Sequence, residues 1–256
     1  MSFFIYFERK RAMKRTSSKF STRMIAGVGI FSALAAVVSF ATSFLKVGFL
    51  SLDAGDIVIV IASFIYGPVS GVVVSLISAL ASFLYSGTGF WGFLMDFASS
   101  ASFVFVASFI YSRKRDFKSA IIGIGVSVIT TTLVMMPLNI LITPIYTGAS
   151  AGYVITLIPV LLLPFNFAKT LLNGAASLLI YKPLVRAMRA AKLAPPSKSE
   201  PKVNAAPKSH RTSVMSLVLG LMAIVVAIIV LVLINTLTDY HFRVEEITVL
   251  VPYVIF

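Results

Sequence analysis

The stretch IVIVIASFIYGPVSGVVVSLISALASFLY, residues 57–85, decides the fold. It carries no charged side chain, and a helix of about 20 apolar residues crosses a bilayer. Read as one helix the stretch is overlong; read as two, its first half is short. Gly67-Pro68 marks the place to divide it, because proline stops an incoming helix and glycine permits the turn.

The basic residues choose between the two readings. They gather in an N-terminal cluster from Arg9 to Arg23, in Arg113-Lys114-Arg115, and from Lys182 to Lys192. Excess Lys and Arg mark the cytoplasmic loops of a membrane protein, so all three clusters are expected in the cytoplasm. Apolar runs at 24–45, 57–85 and 90–111 separate the first cluster from Arg113. Three crossings leave Arg113 outside; dividing the middle run into about 56–66 and 68–85 makes four and brings it back. Runs at 120–146 and 153–181 add two more crossings, and 214–234 adds a seventh.

The expected fold is therefore all-α: a polytopic membrane protein with a six-helix bundle and one extra C-terminal transmembrane helix. A basic cytoplasmic N-terminus (1–23) leads into the membrane domain (24–193). A cytoplasmic linker rich in Lys, Pro, Ala and Ser (194–212) then precedes the seventh helix (213–236) and an extracellular tail (237–256).

Composition agrees with a membrane location. The 256 residues are 58% hydrophobic and only 12% charged, too little polar surface for a soluble domain of this length. A net charge of +13 in a soluble protein would suggest nucleic acid. Here the bases lie between apolar runs, with no basic face or aromatic-basic module. The absence of cysteine excludes disulfides, zinc-thiolate sites and thiol nucleophiles. There is no G-x-x-x-x-G-K-[ST] phosphate loop, and His210 and His241 fall outside the apolar runs. An intramembrane enzyme therefore has no nucleophile–base pair or metal set to work with. No paired carboxylates sit within a span in the pattern of a proton relay.

Chemistry is concentrated in Pro164-Phe165-Asn166-Phe167-Ala168-Lys169. Asn166, Lys169 and Asn173 are three and four residues apart, hence on one helical face. A charge inside a bilayer costs roughly 2.5–3.5 kcal/mol on insertion scales unless it meets a cavity, a partner or a ligand. Lys169 lies too far from Tyr181 to reach the cytoplasmic interface easily by snorkelling. Pro159 and Pro164 imply a bent approach to this face. Asn139, just after Pro137, supplies a second amide, for a ligand contact or for helix–helix hydrogen bonding. Asp56 reads as an N-cap before its apolar run, and Asp53 as a candidate at an outer gate. Asp96 follows the turn Ser86-Gly87-Thr88-Gly89 and either pairs with Lys169 or Lys46 or caps its helix. On the first helix Gly29 with Ala33 and Ser32 with Ala36 make a small-residue stripe. Such a stripe serves internal packing or docks a partner helix.

Several of these phrases resemble one family. Leu50-Ser51-Leu52-Asp53-Ala54-Gly55-Asp56-Ile57, Tyr66-Gly67-Pro68-Val69-Ser70-Gly71, Ser86-Gly87-Thr88-Gly89, Leu138-Asn139 with Pro144-Ile145-Tyr146, and above all Leu163-Pro164-Phe165-Asn166-Phe167-Ala168-Lys169 resemble the riboflavin-specific substrate-binding subunit (S component) of energy-coupling factor (ECF) transporters. The resemblance runs over about 24–193. It implies a six-helix vitamin binder without a cofactor, with riboflavin as transported ligand. Such a subunit docks on a membrane coupling subunit driven by two ATPase subunits, and the small-residue stripe would meet the coupling subunit. The implied substrate residues are Asn166, Lys169, Asn139, Asn173, Phe165, Asp53 and Asp96, with Phe90, Trp91 and Phe167 as further walls for the flavin ring. The chain departs from the family pattern at Ser78, Ala79 and Ser82, where basic or polar residues are frequent, and in having Asp96 where glutamate is usual. The alternatives are an S component for thiamine, biotin or folate, or a membrane interaction protein in which Lys169 pairs internally.

Overall fold

A computed structural model describes residues 22–47, 50–87, 89–190 and 220–236. Helix α1 (Thr22–Thr42) is followed by a two-stranded antiparallel hairpin, β1 (Lys46–Val47) and β2 (Leu50–Ser51), in which Lys46 faces Ser51 and Val47 faces Leu50. Then come α2 (Gly55–Tyr66), α3 (Pro68–Phe83), α4 (Gly89–Lys114) and α5 (Phe117–Thr147). A short α6 (Ala151–Leu157), a π turn (Ile158–Leu162) and α7 (Leu163–Ala190) form one continuous rod. Helix α8 (Gly220–Thr236) completes the described chain. The hairpin is a small addition to the all-α expectation; it occupies the polar break after α1.

Helices at 24–42, 89–114, 117–147 and 151–181 are long and apolar enough to cross a membrane, while α2, α3 and α8 are shorter. The break at Gly67-Pro68 is present. Gly67 has φ 98°, a conformation that favours glycine. Pro68 opens α3 at its first position, where a missing N–H costs nothing. Arg113-Lys114-Arg115 and Asp116 make the tight turn between α4 and α5. There Asp116 caps α5 by accepting from the Ser119 N–H at 2.8 Å.

The bundle is apolar outside, where Ile, Leu, Val and Phe are exposed, and mixed inside, where an apolar core around α2 lies beside the buried polar residues Ser63, Ser75, Ser100, Ser127, Thr131, Asn139 and Asp56. Small hydroxyl residues let membrane helices approach closely, and their hydroxyls return to carbonyls three or four residues back, as Ser63 does to Val60 and Thr132 to Val128. Helix α2 is the centre of the arrangement. It packs against α1, α3, α4 and α7, and every residue from Val58 to Ile65 is buried. At 1.5 Å per residue it is about 18 Å long, short of a bilayer core. The space above its N-terminus is filled by the loop after β2, and there the polar site lies. At the other end Phe64 stacks on Tyr111, whose hydroxyl meets that of Tyr181 at 2.6 Å.

The expected segments 1–21, 194–212 and 237–256 lie outside the described residues.

Candidate functional site

Proline shapes the approach to the site. Neither Pro159 nor Pro164 can donate to the helix ladder, and the chain widens into the π turn, where Leu163 N–H bonds the Ile158 carbonyl five residues back. Such turns re-aim the residues that follow. Asn166, Lys169 and Asn173 all point inward and are buried, while Phe167 between them is turned outward. The shared face read from the sequence is thus an interior face.

Of the two carboxylates flanking the α2 N-terminus, it is Asp53, and not Asp56 as expected, that caps the helix, while Asp53 also lines a cavity. Asp53 does the capping: its Oδ1 accepts from the Gly55 N–H and the Ser39 hydroxyl, both at 2.7 Å. Asp56 makes no cap. It lies in the first turn, 1% exposed. It accepts from Ser100 Oγ at 2.5 Å on one oxygen and from Asn173 Nδ2 at 3.3 Å on the other. Gly55 is required between them. A Cβ there would strike Ser39 Oγ, and would stand 2.9 Å from both the Ala35 carbonyl and Asp53 Oδ1.

Lys169 is 6% exposed and makes no hydrogen bond or ion pair with any described residue. Asp56, Asp96 and Asp53 are near enough to attract it electrostatically. One ammonium therefore faces three carboxylates without touching any. The pairing of Asp96 with Lys169 is an attraction across a cavity and not a contact. Asp96 lies in the second turn of α4 and caps nothing.

Two adjoining cavities open beside these groups. One, of about 100 Å³, is lined by Lys169, Asn166, Asn139, Ser99, Tyr146 and Phe165, among others. The other, of about 170 Å³, is lined by Asp53, Ser39, Ser43, Ser82, Tyr85 and Ser86, among others. Ser51, Gly92 and Asp96 belong to both. The first presents amides and an ammonium, the second hydroxyls and carboxylates. Asn139 is fully buried, with Nδ2 donating to the Met135 carbonyl at 2.7 Å and Oδ1 accepting from Thr143 at 3.1 Å. Asn166 Nδ2 reaches back to the Leu162 carbonyl at 2.8 Å. Each amide is held in orientation by its own helix and keeps hydrogen-bonding capacity on the cavity side.

The remaining sequence candidates divide. Phe165 lines the amide cavity, whereas Phe90, Trp91 and Phe167 are exposed and line neither cavity. Asn173 stands behind the cavities and connects α7 to the Asp53 carbonyl and Asp56. On α1, Gly29 and Ala33 are exposed and Ala36 is half-buried. Ser32 departs from the expected docking stripe: it is buried in the bundle and donates to the Val28 carbonyl. Sequence reasoning missed Asp56, Ser100, Ser99 and Ser39. Asp56 carried a usable signal, since an acid at the head of a long apolar run poses the same problem as Lys169.

An apolar-skinned helical bundle with a polar chamber beside its hairpin defines the class: a membrane protein with an internal polar cavity. The family model for the substrate-specific component of ECF transporters matches residues 23–185. The riboflavin transporter RibU of Staphylococcus aureus (strain TCH60) is 30% identical over 171 residues, covering 63% of this chain and 90% of that protein. The riboflavin transporter FmnP of Bacillus subtilis (strain 168) is 26% identical over 156 residues, covering 56% and 82%. A solved structure, described as the S component of a bacterial ECF transporter, superposes with a TM-score of 0.55 at 30% identity, over 65% of this chain and 97% of its own. The chain belongs to the family of ECF transporter substrate-specific components. It is a multi-pass membrane transport subunit and not an enzyme.

Proposed function

We propose that this chain is the riboflavin-binding subunit of an ECF-type importer. The observation that carries the reading is Lys169, buried and unpaired, on the wall of a cavity that also presents Asn139 and Asn166. A flavin ring is flat and apolar with one edge of alternating donors and acceptors. Two oriented amides and an ammonium match such an edge, with Met95, Met135 and Phe165 against its faces. The ribityl chain is a run of hydroxyls, and the adjoining cavity offers serines, Tyr85, Asp53 and Asp96 as partners. The names of the two curated relatives support this ligand over thiamine, biotin or folate.

Binding is non-covalent, and Lys169 serves as a hydrogen-bond donor whose charge is balanced by the carboxylates around it. In this reading the N-terminus and the Arg113 loop face the cytoplasm, and the tail after α8 lies outside. The cavities then open outward beneath the β1–β2 hairpin. Delivery inward depends on a membrane coupling subunit and two ATPase subunits, since the chain has no phosphate loop of its own. The exposed Gly29–Ala33 edge of α1, with Ala36, suits close approach of that coupling subunit.

The test is the visible absorption spectrum of the protein purified in detergent. A flavin spectrum, or quenching of added riboflavin fluorescence, is expected, and both are lost in Lys169→Ala and Asn166→Ala with the fold retained. A wild-type protein that neither carries flavin nor quenches riboflavin overturns the reading in favour of another vitamin.

A further inference from the structure

Helix α8 lies beyond residues 23–185, the part matched by the family, and the site described above does not use it. Its Ala227, Leu231 and Ile234 recur at helical spacing and are buried, while Val226, Ile229, Val232 and Leu233 are exposed. The buried edge forms one cluster with Leu161, Phe165 and Ala168, and Leu50 and Leu52 pack against that cluster. At the other end, a Cβ on Gly220 would come 2.7 Å from Leu179. Helix α8 therefore runs back along α7, from Leu179 towards the π turn.

Three residues of this cluster and its fringe also wall the cavities. Phe165 and Leu50 line the amide cavity, and Leu52 lines the hydroxyl cavity. Each presents one side to the ligand space and the other to packing that α8 helps to complete. Leu50 belongs to the hairpin, whose two short strands have little ladder bonding of their own to hold them. In a membrane, apolar association gains nothing from water exclusion, so close packing must hold such an edge. The fully buried Ala227 permits that closeness. The tether to α7 makes the association intramolecular.

We propose that α8 is a clamp on the substrate site: through Ala227, Leu231 and Ile234 it holds Phe165 and the Leu50–Leu52 segment in place and slows ligand exchange. The three are positioning residues, acting through the cavity wall and not touching substrate. The proposal rests on the cavities being the substrate site, and its test is chosen to be independent of which ligand they take.

The chain has no cysteine, so Ser99→Cys introduces a single thiol. Ser99 is buried on the wall of the amide cavity. Its rate of reaction with a charged maleimide reports how often the site opens. In the full-length protein, Leu231→Ala with Ile234→Ala is expected to speed that reaction by about fivefold or more, within the usual range of site coupling. Val232→Ala with Leu233→Ala, on the opposite face, leaves the rate unchanged. Leu231→Met with Ile234→Val restores the slow rate. Riboflavin release, followed by recovery of its fluorescence, accelerates in the same variants. Should the double variant not fold, Leu231→Ala alone carries the comparison. Unchanged labelling overturns the clamp, whether or not the melting temperature falls. A response in labelling from a protein that ignores riboflavin upholds the clamp and sinks the flavin reading.

Discussion

Asn173 on α7 donates through one nitrogen to the Asp53 carbonyl at 2.6 Å and to Asp56 Oδ2 at 3.3 Å, so a single amide ties α7 to the head of α2. Its Oδ1 is buried with no partner among the described residues. The amide is therefore held by its donor side, at the expense of its acceptor. Asn173→Ala removes the donor from two buried acceptors and is expected to destabilise the protein by about 1–2 kcal/mol. Asn173→Asp is worse, since it sets a like charge against Asp56. Thermal unfolding in detergent decides; equal melting of wild type and both variants would show that the tie carries no stability.

Lys169 and Asp56 attract each other without contact, and each compensates a charge that the interior would otherwise carry alone. Lys169→Met leaves the buried carboxylates without the opposite charge that offsets their desolvation and is expected to lower the melting temperature. Asp56→Asn on that background relieves part of the loss, because one negative charge is gone. The coupling energy from the four proteins of a double-mutant cycle is the quantity to measure. Strict additivity would mean that the two charges act independently.

How much of this was legible in the sequence follows from what periodicity and charge can encode. The division at Gly67-Pro68 was readable because proline and glycine act locally and because parity of basic loops constrains the count. The inward face of Asn166, Lys169 and Asn173 was readable from spacing alone. That Asp53 and not Asp56 caps α2 was not. It depends on Ser39 from α1 and Ser100 from α4, which are indistinguishable from the chain's many other serines until the helices pack. Nor was the outward turn of Phe90, Trp91 and Phe167 readable, since an aromatic residue serves a lipid face as well as a ligand wall. Ser32 was misplaced for a related reason: a small residue fits either helix interface, and only the direction of α2 and α3 assigns the side.

The turn between α4 and α5 makes a pH prediction. Hydrogen bonds from the Ser119 side chain and N–H hold the Asp116 carboxyl below its ordinary value of 3.8. A depressed acid stabilises the fold above its unfolded pKa, and that contribution disappears as pH falls through the folded value. The cap is thus at full strength at neutral pH and is lost below about pH 4. Asp116→Asn keeps a capping oxygen but cannot titrate, so its melting temperature should fall less between pH 5 and pH 3 than that of wild type. Parallel acid losses in the two proteins would assign the effect to other carboxylates.

On the proposed riboflavin reading, the hydroxyl cavity predicts which flavins the site would accept. Asp53 and Asp96 line it, and its described lining contains no Lys, Arg or His. A phosphate on the end of a ribityl chain carries close to two negative charges. Placed beside two carboxylates in an enclosed site, where screening by salt is weak, it is repelled. Flavin mononucleotide is therefore expected to bind at least about tenfold more weakly than riboflavin, a discrimination of roughly 1.4 kcal/mol. The two aspartates are not equivalent in this. Asp53 is committed to Ser39 and the Gly55 N–H, whereas Asp96 has no hydrogen-bond partner among the described residues and belongs to both cavities. Asp96→Asn should narrow the gap between the two ligands, chiefly by improving the phosphorylated one, while Asp53→Asn disturbs the α2 cap and weakens both. Fluorescence-quenching titrations with each ligand measure the ratio; a ratio near one in wild type, or one that Asp96→Asn leaves untouched, would remove electrostatic exclusion as the basis of selectivity.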